Sequence, residues 1–270
     1  VASLSRVGVD LIPQQTLMEL LVANIEDQGA FQKSDGSYRD IAHWDGVEMA
    51  DGTVVKIEWD NVEGSDDDDY YADQPITVGG GKMAFEWLPP TVREVYCSFL
   101  QLQGSLDTRA LPRDLVKLYI TDNQFEGPFE TDGLPLSVTL LHIAGNRFSG
   151  SLHLDKLPPC LRSLSAAYNT FSGSVHLTSL PATLVYLSLS ANAFSGEIDL
   201  TSLPKYINNI KLNKNSFKQD ALIIQHDLEY LEALVIDKGA FGSITASNGD
   251  PISDVTDFGT SIEIRVAKGL

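Results

Sequence analysis

The sequence predicts a β-rich α/β solenoid in which one short unit repeats and stacks on its neighbours. The dipeptide Leu-Pro occurs at positions 88, 111, 134, 157, 180 and 203, so each step is 23 residues long. The six blocks share the form L-P-x-x-L-x-x-L-x-L-x-x-N-x-F-x-G-x-L-x-L-x-x, and a degenerate seventh copy starts at Asp227. A fixed period of this length indicates stacked repeats, because a single unit cannot bury its own apolar face.

The period and the L-x-x-L-x-L-x-x-N core resemble the leucine-rich repeat family. The resemblance covers Leu88 to about Asp250. The F-S-G-x-L segment is similar to the plant-type subclass, while the Leu-Pro start and the doubled L-x-L are similar to repeats of protist surface-antigen-type proteins. The resemblance implies a curved right-handed stack with a parallel β-sheet on its concave face. It also implies short second strands on the opposite side and a helix-containing N-terminal cap.

Residues 1–49 are predicted to form this helical cap. Apolar residues at 17, 20, 21 and 25 have helical spacing, with Thr16 as the N-cap and Gly29 as the end. The sequence around Trp44 resembles the cap motif C-x-W-x-G-V-x-C of plant-type repeats, with Ala42 and Met49 in place of the cysteines. We interpret Trp44 as a buried plug that closes the first repeat. An exposed aromatic anchor is the alternative.

Residues 50–87 are predicted to form a cap repeat interrupted by a polar insertion loop at 60–81. Ile57 and Trp59 fit the inward positions of the repeat, and the segment is 15 residues longer than the period. The loop includes four consecutive aspartates, Asp66–Asp69, which repel one another. A solvated loop is the simplest interpretation. The alternatives are a docking element for a basic partner and a calcium site, although the alternating acids of a calcium loop are missing.

Residues 88–250 hold seven repeats, and residues 251–270 are predicted to form a C-terminal capping strand. The Asn at position 13 of five successive repeats is expected to bond backbone groups, the Phe at position 15 of the same repeats to fill the core, and the Gly common at position 17 to permit a bend. The L-x-L that follows, as at Leu152 and Leu154, predicts the short second strand. Alternation at Ile262, Ile264 and Val266 predicts the terminal strand that covers the last repeat.

Positions seven, nine and eleven point away from the core, because successive side chains of a strand alternate. They place Tyr96, Tyr119 and His142 in one line on the concave face. Exposed aromatics are typical of binding hot spots, so we predict that this line contacts a protein partner. Mutual stacking that only stabilises the sheet is the alternative. The predicted partner-binding set is Tyr96, Tyr119, His142, Lys117, Tyr186 and Lys211.

A second column, at position 20, has the composition of a metal site. It contains His153 and His176 flanked by acids at Asp107, Glu130 and Asp199. Charge complementarity between neighbouring strands explains the column without an ion, so no metal and no cofactor is predicted. The sequence has no nucleophile elbow, phosphate-binding loop or zinc-helix motif, and we predict no catalytic residue. A metal-dependent enzyme is the least favoured alternative.

The charge of the chain argues against several kinds of partner. The net charge is −18; residues 1–87 carry 18 acids and 5 bases, whereas residues 88–226 carry 11 of each. Nucleic acid is not expected as a partner, because phosphate binding needs a concentrated basic face. No run of about 18 apolar residues occurs, so no membrane insertion is expected.

The cysteines bear on location. Cys97 and Cys160 are nearly three repeats apart, too far for a disulfide, and no N-x-S/T sequon occurs. Together with the missing cap cysteines, this favours an intracellular location. A surface or secreted protein whose signal peptide was removed is the alternative. The predicted function is non-catalytic protein binding, as a scaffold or an accessory subunit of a larger assembly, with recognition or adhesion at a cell surface as the alternative.

Overall fold

The computed structural model describes residues 8–60, 78–249, 252 and 255–264. Over these residues the chain coils into successive turns, and most turns give one strand to a large sheet and one to a smaller sheet. The apolar repeat positions lie between the two sheets in one continuous core. The predicted solenoid is therefore confirmed. The aspartate run Asp66–Asp69 and Val266 lie outside the described residues.

The N-terminal cap contains helix α1 (Gln14–Val22), which packs Met18, Leu21 and Val22 against the core. The helix begins directly after Pro13, whose fixed φ suits a helix start, so the predicted N-cap at Thr16 is wrong. The predicted end at Gly29 is also wrong. The chain leaves the helix six residues earlier and forms strand β1 (Asn24–Asp27), which finds a pairing partner later in the chain.

An aromatic cluster closes the N-terminal end of the core. Trp44 is 2% exposed and its ring lies 4.6 Å from that of Phe31, which in turn lies 4.9 Å from Trp59. The Trp44 indole N–H donates to the Arg39 carbonyl and the Trp59 indole N–H to the Asp45 carbonyl. The buried-plug interpretation of Trp44 is confirmed, and the cap is closed by packing without a disulfide.

The cap repeat begins with strands β2 (Val47–Ala50) and β3 (Thr53–Glu58), which pair antiparallel. Strand β4 (Gly79–Lys82) then pairs antiparallel with β1. The predicted insertion loop at 60–81 is therefore wrong at its C-terminal end, where three glycines are part of a strand. The glycines permit a close approach that a side chain would prevent: a Cβ on Gly81 would lie 2.3 Å from the Asn24 carbonyl oxygen, and the φ of Gly81 is +76°.

We expect Gly81→Ala to destabilise this cap, because the new methyl group must push β4 away from β1 in a backbone conformation that alanine disfavours. The free energy of unfolding should fall by about 2–3 kcal/mol in urea denaturation. Gly36→Ala is the matched control. Its φ is +81° but nothing lies within 4 Å of the added carbon, so it should cost only about 1 kcal/mol. Equal losses would show that β1 and β4 do not approach so closely.

The repeats alternate strands of the two sheets. Odd-numbered strands from β5 to β15 belong to the large sheet and even-numbered strands from β6 to β16 to the smaller one. In chain order they are β5 (Glu94–Tyr96), β6 (Gln103–Gly104), β7 (Lys117–Tyr119), β8 (Gln124–Pro128), β9 (Leu140–His142), β10 (Arg147–Gly150), β11 (Ser163–Ser165), β12 (Thr170–Gly173), β13 (Tyr186–Ser188), β14 (Ala193–Gly196), β15 (Asn209–Lys211) and β16 (Ser216–Phe217).

At the C-terminal end the large sheet continues with further strands, whereas the smaller sheet is followed by a separate pair of strands. The strands at this end are β17 (Gln219–Ile224), β18 (Ala233–Asp237), β19 (Phe241–Ala246), β20 (Val255–Asp257) and β21 (Ser261–Ile264). Strand β18 joins the large sheet, and β21 and then β20 add to it antiparallel. Strands β17 and β19 form a separate parallel pair. Ile264 is fully buried against the last repeat. The division of the chain at residues 49, 87 and 250 stays a prediction.

The large sheet contains, over the described residues, eleven strands in the order β2-β3-β5-β7-β9-β11-β13-β15-β18-β21-β20. Its parallel strands pair in steps of one repeat, so that Leu118 lies between Val95 and Leu141. We call the side of this sheet that faces away from the core the concave face. Because the register is uniform, equal repeat positions form columns across this face.

A ladder of asparagines at position 13 connects successive turns. The Asn146 side-chain N–H groups donate to carbonyls of Ile143 and Ala144 in its own repeat, and of Ile120 in the repeat before it. Its side-chain oxygen accepts from the Phe125 N–H at 3.0 Å. Each amide thereby satisfies backbone groups of two repeats, as predicted. The other members are Asn123, Asn169, Asn192 and Asn215.

The phenylalanines at position 15 form a second ladder inside the core. Their rings stack with centroids 6.1–6.5 Å apart and planes within 13° of parallel. All of them are at most 5% exposed, as the sequence predicts. The members are Phe125, Phe148, Phe171, Phe194 and Phe217.

In the sixth repeat β17 covers the predicted positions of the second strand, whereas in the first five repeats the second strand lies earlier than predicted. It runs through the Phe at position 15 and ends at the Gly at position 17, as in β10, whose Gly150 has φ +79°. The positive φ turns the chain, so Leu152 and Leu154 follow in a separate segment, although both are buried. Leu154 starts one of the 3₁₀ helices, which are Val9–Leu11, Ile41–His43, Phe85–Trp87, Thr108–Ala110, Thr131–Gly133 and Leu154–Lys156.

Candidate functional site

The concave face presents the predicted partner-binding residues from positions seven and nine of the repeats. Strand alternation buries the residue between them, as with Leu118 between Lys117 and Tyr119. Tyr96, Tyr119 and His142 are register neighbours on adjacent strands and are each half-buried. The structure therefore places the predicted aromatic line on one surface.

The aromatic line is a continuous stack. The rings of Tyr96 and Tyr119 lie 4.9 Å apart at 21°, and the Tyr119 ring lies 4.4 Å from the His142 imidazole at 54°. His142 Nε2 is 2.9 Å from the Ser163 hydroxyl on the next strand. The stacking that we considered as an alternative to binding is thus present. Stacking fixes the rings in one arrangement and still leaves their outer faces on the sheet surface.

Charged groups surround Tyr96. Its hydroxyl donates to Glu94 at 3.0 Å, and Lys117 forms an ion pair with Glu94 at 3.3 Å. Lys56 pairs with Glu58 at 2.6 Å, and its ammonium lies 5.3 Å from the centre of the Tyr96 ring. Burial, followed by the hydrogen bond to Glu94, raises the pKa of the Tyr96 phenol above its usual range, so this phenol stays protonated.

The other two predicted residues form a separate group. Tyr186 lies on the strand after Ser163, and Lys211 places its ammonium 5.8 Å from the centre of the Tyr186 ring. Between this group and the aromatic line the surface is lined by small side chains. Ser188 and Ser190 are buried, and their hydroxyls lie 3.3 Å apart. The predicted set thus divides into two clusters separated by a surface of small side chains.

Sequence reasoning missed an aromatic–lysine pair beside the second cluster. Tyr168 is 60% exposed, and the Lys214 ammonium lies 5.6 Å from the centre of its ring. Both residues occupy repeat position 12, where the backbone is left-handed, with φ +52° and +58°. Position 12 follows the strand, so strand alternation gave no signal. The usable signal was the spacing of 46 residues, which places both side chains in one column two repeats apart.

A lateral groove of about 500 Å³ was also missed. It is lined by Cys160, Arg162, Val185, Tyr206 and Tyr230, among others. The rings of Tyr206 and Tyr230 lie 5.2 Å apart, and both are half-exposed. This pair could have been found at position four, which carries Tyr in the last two repeats. Both cysteines have free thiols, Cys97 in the core and Cys160 at the groove.

A carboxyl group lies in the concave face at the end of the cap repeat. Asp60 accepts a hydrogen bond from the Ser98 N–H. Burial raises the pKa of Asp60 to about 6, although this hydrogen bond opposes the shift. Burial, with a smaller contribution from the Asp60 charge, also raises the pKa of the Cys97 thiol. A buried thiol of this kind is a core residue and not a nucleophile.

The position-20 column is not on a strand. Asp107, Glu130 and His153 precede 3₁₀ helices, and the Asp107 carboxylate accepts from the Arg109 N–H. The strand-to-strand explanation of this column is therefore wrong. Among the residues that the structure describes, no three His, Cys, Asp or Glu side chains are grouped so that they could hold a metal ion. None of the described helices combines the length and apolar character needed to cross a bilayer.

Comparisons with known proteins give weak likenesses. No protein-family model matches the chain, and no curated protein matches it. The structure of the Arabidopsis receptor kinase HAESA in complex with the peptide hormone IDA and the co-receptor SERK1 is 26% identical, with TM-score 0.47, over 58% of this chain and 26% of that chain. This chain thus spans about a quarter of that one.

Two further solved structures cover more of the chain. Pollen Receptor Kinase 3 is 19% identical, with TM-score 0.49, over 90% of this chain and all of that chain. The BIR3–SERK2 complex from Arabidopsis thaliana is 16% identical, with TM-score 0.45, over 75% of this chain and 94% of that chain. With TM-scores below 0.5, these likenesses decide neither the subclass nor a partner. What the chain's own geometry shows is the fold: a solenoid of 23-residue repeats with a parallel sheet and two side-chain ladders.

Proposed function

We propose that this protein is a non-catalytic binding scaffold whose concave face contacts a protein partner. The supporting observation is the stack of Tyr96, Tyr119 and His142 on the large sheet. Tyrosine is enriched at binding hot spots because it offers a large contact area with few rotatable bonds. Side chains already held by stacking and by Glu94 lose little freedom on binding, which favours affinity.

The proposal does not depend on one compartment. One basis of the intracellular prediction is the missing cap cysteines, besides the separation of Cys97 from Cys160 and the missing sequon, yet the Trp44, Phe31 and Trp59 cluster closes the cap without those cap cysteines. The comparisons do not support that prediction either. We therefore carry the surface or secreted alternative forward beside the intracellular scaffold, including an accessory-subunit role in a larger assembly. The metal-dependent alternative with His153 and His176 is not carried forward.

A matched pair of double variants tests the binding face. The tagged protein captures its partner from the native source, and the captured protein is quantified by mass spectrometry. We expect Tyr96→Ala with Tyr119→Ala to reduce capture at least roughly tenfold, because a hot-spot side chain contributes about 2 kcal/mol or more. Tyr206→Ala with Tyr230→Ala removes an equal aromatic pair from the lateral groove and should leave capture unchanged.

The proposal would be contradicted if the two double variants ranked the other way in partner capture. If the groove variant loses the partner and the concave variant retains it, the stack is only structural. Circular dichroism of both variants checks that the repeats remain folded, since the Asn and Phe ladders are untouched by either change.

A further inference from the structure

The sixth repeat is the basic part of an acidic protein. Residues 203–226 carry four lysines and one aspartate, whereas the whole chain has a net charge of −18. The lysines are distributed around the turn. Lys211 lies on the concave face, Lys214 at its edge, Lys205 beside the lateral groove and Lys218 beside the second sheet.

Lys211 and Lys214 differ from the lysines of the first repeats. Lys56 and Lys117 are neutralised by Glu58 and Glu94. Over the described part of the chain, in contrast, no carboxylate lies within ion-pairing distance of the Lys211 or Lys214 ammonium. Each ammonium lies over a tyrosine ring instead. The Lys211 ammonium is 5.8 Å from the centre of the Tyr186 ring, and the Lys214 ammonium is 5.6 Å from the centre of the Tyr168 ring. A cation–π contact orients an ammonium but leaves its charge uncompensated.

The carboxylate of Asp237, an acid near Lys214, is already hydrogen-bonded to the backbone. Asp237 lies in the next repeat, where its two carboxylate oxygens accept the backbone N–H groups of Lys214 and Asn215 at 2.7 and 3.0 Å. These bonds hold the carboxylate at the turn backbone. They also hold the left-handed turn that carries Lys214 to the edge of the concave face.

The surface beside these lysines is lined by small side chains. Lys211 is the register neighbour of Ser188, and both lie in the column of position nine. Ser188 is buried. Ala167, in the neighbouring column of position eleven, is 5% exposed. Small side chains let the backbone of a docked segment approach the sheet closely. The two tyrosines beneath the lysines add apolar contact area at the same place.

We propose that the concave face of repeats four to six binds an acidic, extended segment of the partner protein, whose carboxylates pair with Lys211 and Lys214. Charge complementarity carries this proposal, because two ammonium groups without an ion-pair partner in the described part of the chain lie on the binding face of a protein whose net charge is −18. It rests on the proposed function and specifies the chemistry of the partner there.

The test uses a fluorescein-labelled twelve-residue peptide that alternates Glu with Ala, and a matched peptide that alternates Gln with Ala. Fluorescence anisotropy at low salt should detect binding of the Glu peptide to the full chain and not of the Gln peptide. Lys211→Gln with Lys214→Gln should weaken binding roughly tenfold or more, because both charge-assisted contacts are lost. Added salt should weaken wild-type binding.

Lys205→Gln with Lys218→Gln is the matched control. It removes the same charge from the same repeat but from other faces of the turn, and should change affinity less than about twofold. An equal loss in both double variants would overturn the proposal, because binding would then follow net charge and not this site. Absence of Glu-peptide binding, or equal binding of the Gln peptide, would overturn it as well.

The experiments distinguish a failure of the acidic-segment proposal from a failure of the proposed function. If the tyrosine double variant still abolishes capture of the partner while the acidic peptide does not bind, the concave face binds a partner that is not recognised through acids. If the acidic peptide binds at Lys211 and Lys214 but the tyrosine variant captures normally, the acidic site stands and the role of the aromatic stack is wrong.

Discussion

Asn169→Ala is expected to lower the free energy of unfolding by about 4 kcal/mol, because it leaves several buried backbone groups without partners. The Asn169 side chain donates to the carbonyls of Ala166 and Ala167 at 3.3 and 3.1 Å, and to the Ile143 carbonyl of the preceding repeat at 3.0 Å. Its oxygen accepts from the Phe148 N–H at 3.0 Å. Alanine replaces none of these bonds, and the side chain is only 8% exposed, so water cannot substitute fully.

Urea denaturation followed by circular dichroism measures this loss. Asn208→Ala is the control, since its side-chain N–H donates an exposed hydrogen bond to the Tyr230 carbonyl at 3.0 Å and its side-chain oxygen accepts from the neighbouring Asn209 side chain, so that its amide does not connect to several buried backbone groups. It should cost less than about 1 kcal/mol. If both variants lose equal stability, the asparagine ladder does not connect the repeats in the way described.

Phe171→Ala is expected to cost about 3–5 kcal/mol, the range for removing a fully buried aromatic ring. The Phe171 ring is stacked between Phe148 at 6.2 Å and Phe194 at 6.1 Å, so its loss opens a cavity in the middle of the core. Neighbouring repeats contact each other through this ladder, so the cavity weakens an interface as well as one turn.

The denaturation midpoints of two further variants show whether the cavity is the cause. Phe171→Leu keeps much of the volume and should cost about 1–2 kcal/mol. Phe99→Ala removes a ring that is 45% exposed and should cost about 1 kcal/mol or less. A Phe171→Ala loss no larger than that of Phe99→Ala would contradict the stacked core.

The repeat frame could be predicted from the sequence because each structural role recurs every 23 residues. The Asn at position 13 and the Phe at position 15 occur in five successive copies, so their inward roles are visible without coordinates. In the first five repeats the second strand is predicted too late in the repeat, because residues such as Leu152 and Leu154 alternate like a strand. The turn at Gly150 separates them from the sheet, and a positive φ cannot be read from an alternating pattern.

The candidate site was only partly predictable, because strand alternation assigns a face only to residues that lie on regular strands. Tyr96, Tyr119 and His142 lie on regular strands, where alternation assigns the face. Tyr168 and Lys214 lie after their strands, and their contact spans two repeats. The pairing of β1 with Gly79–Lys82 was missed because it depends on close backbone approach and not on an apolar pattern.

Site-specific photo-cross-linking in the native source tests the central claim, that a protein partner docks on the concave face. A benzophenone amino acid replaces Ser165 on the concave face or Ser172 on the second sheet, one in each of two variants. We predict a cross-linked partner from position 165 and none from position 172, with the adduct lost when Tyr96 and Tyr119 are changed to alanine. A partner that cross-links from position 172 and not from position 165 would contradict the assignment of the concave face as the binding surface.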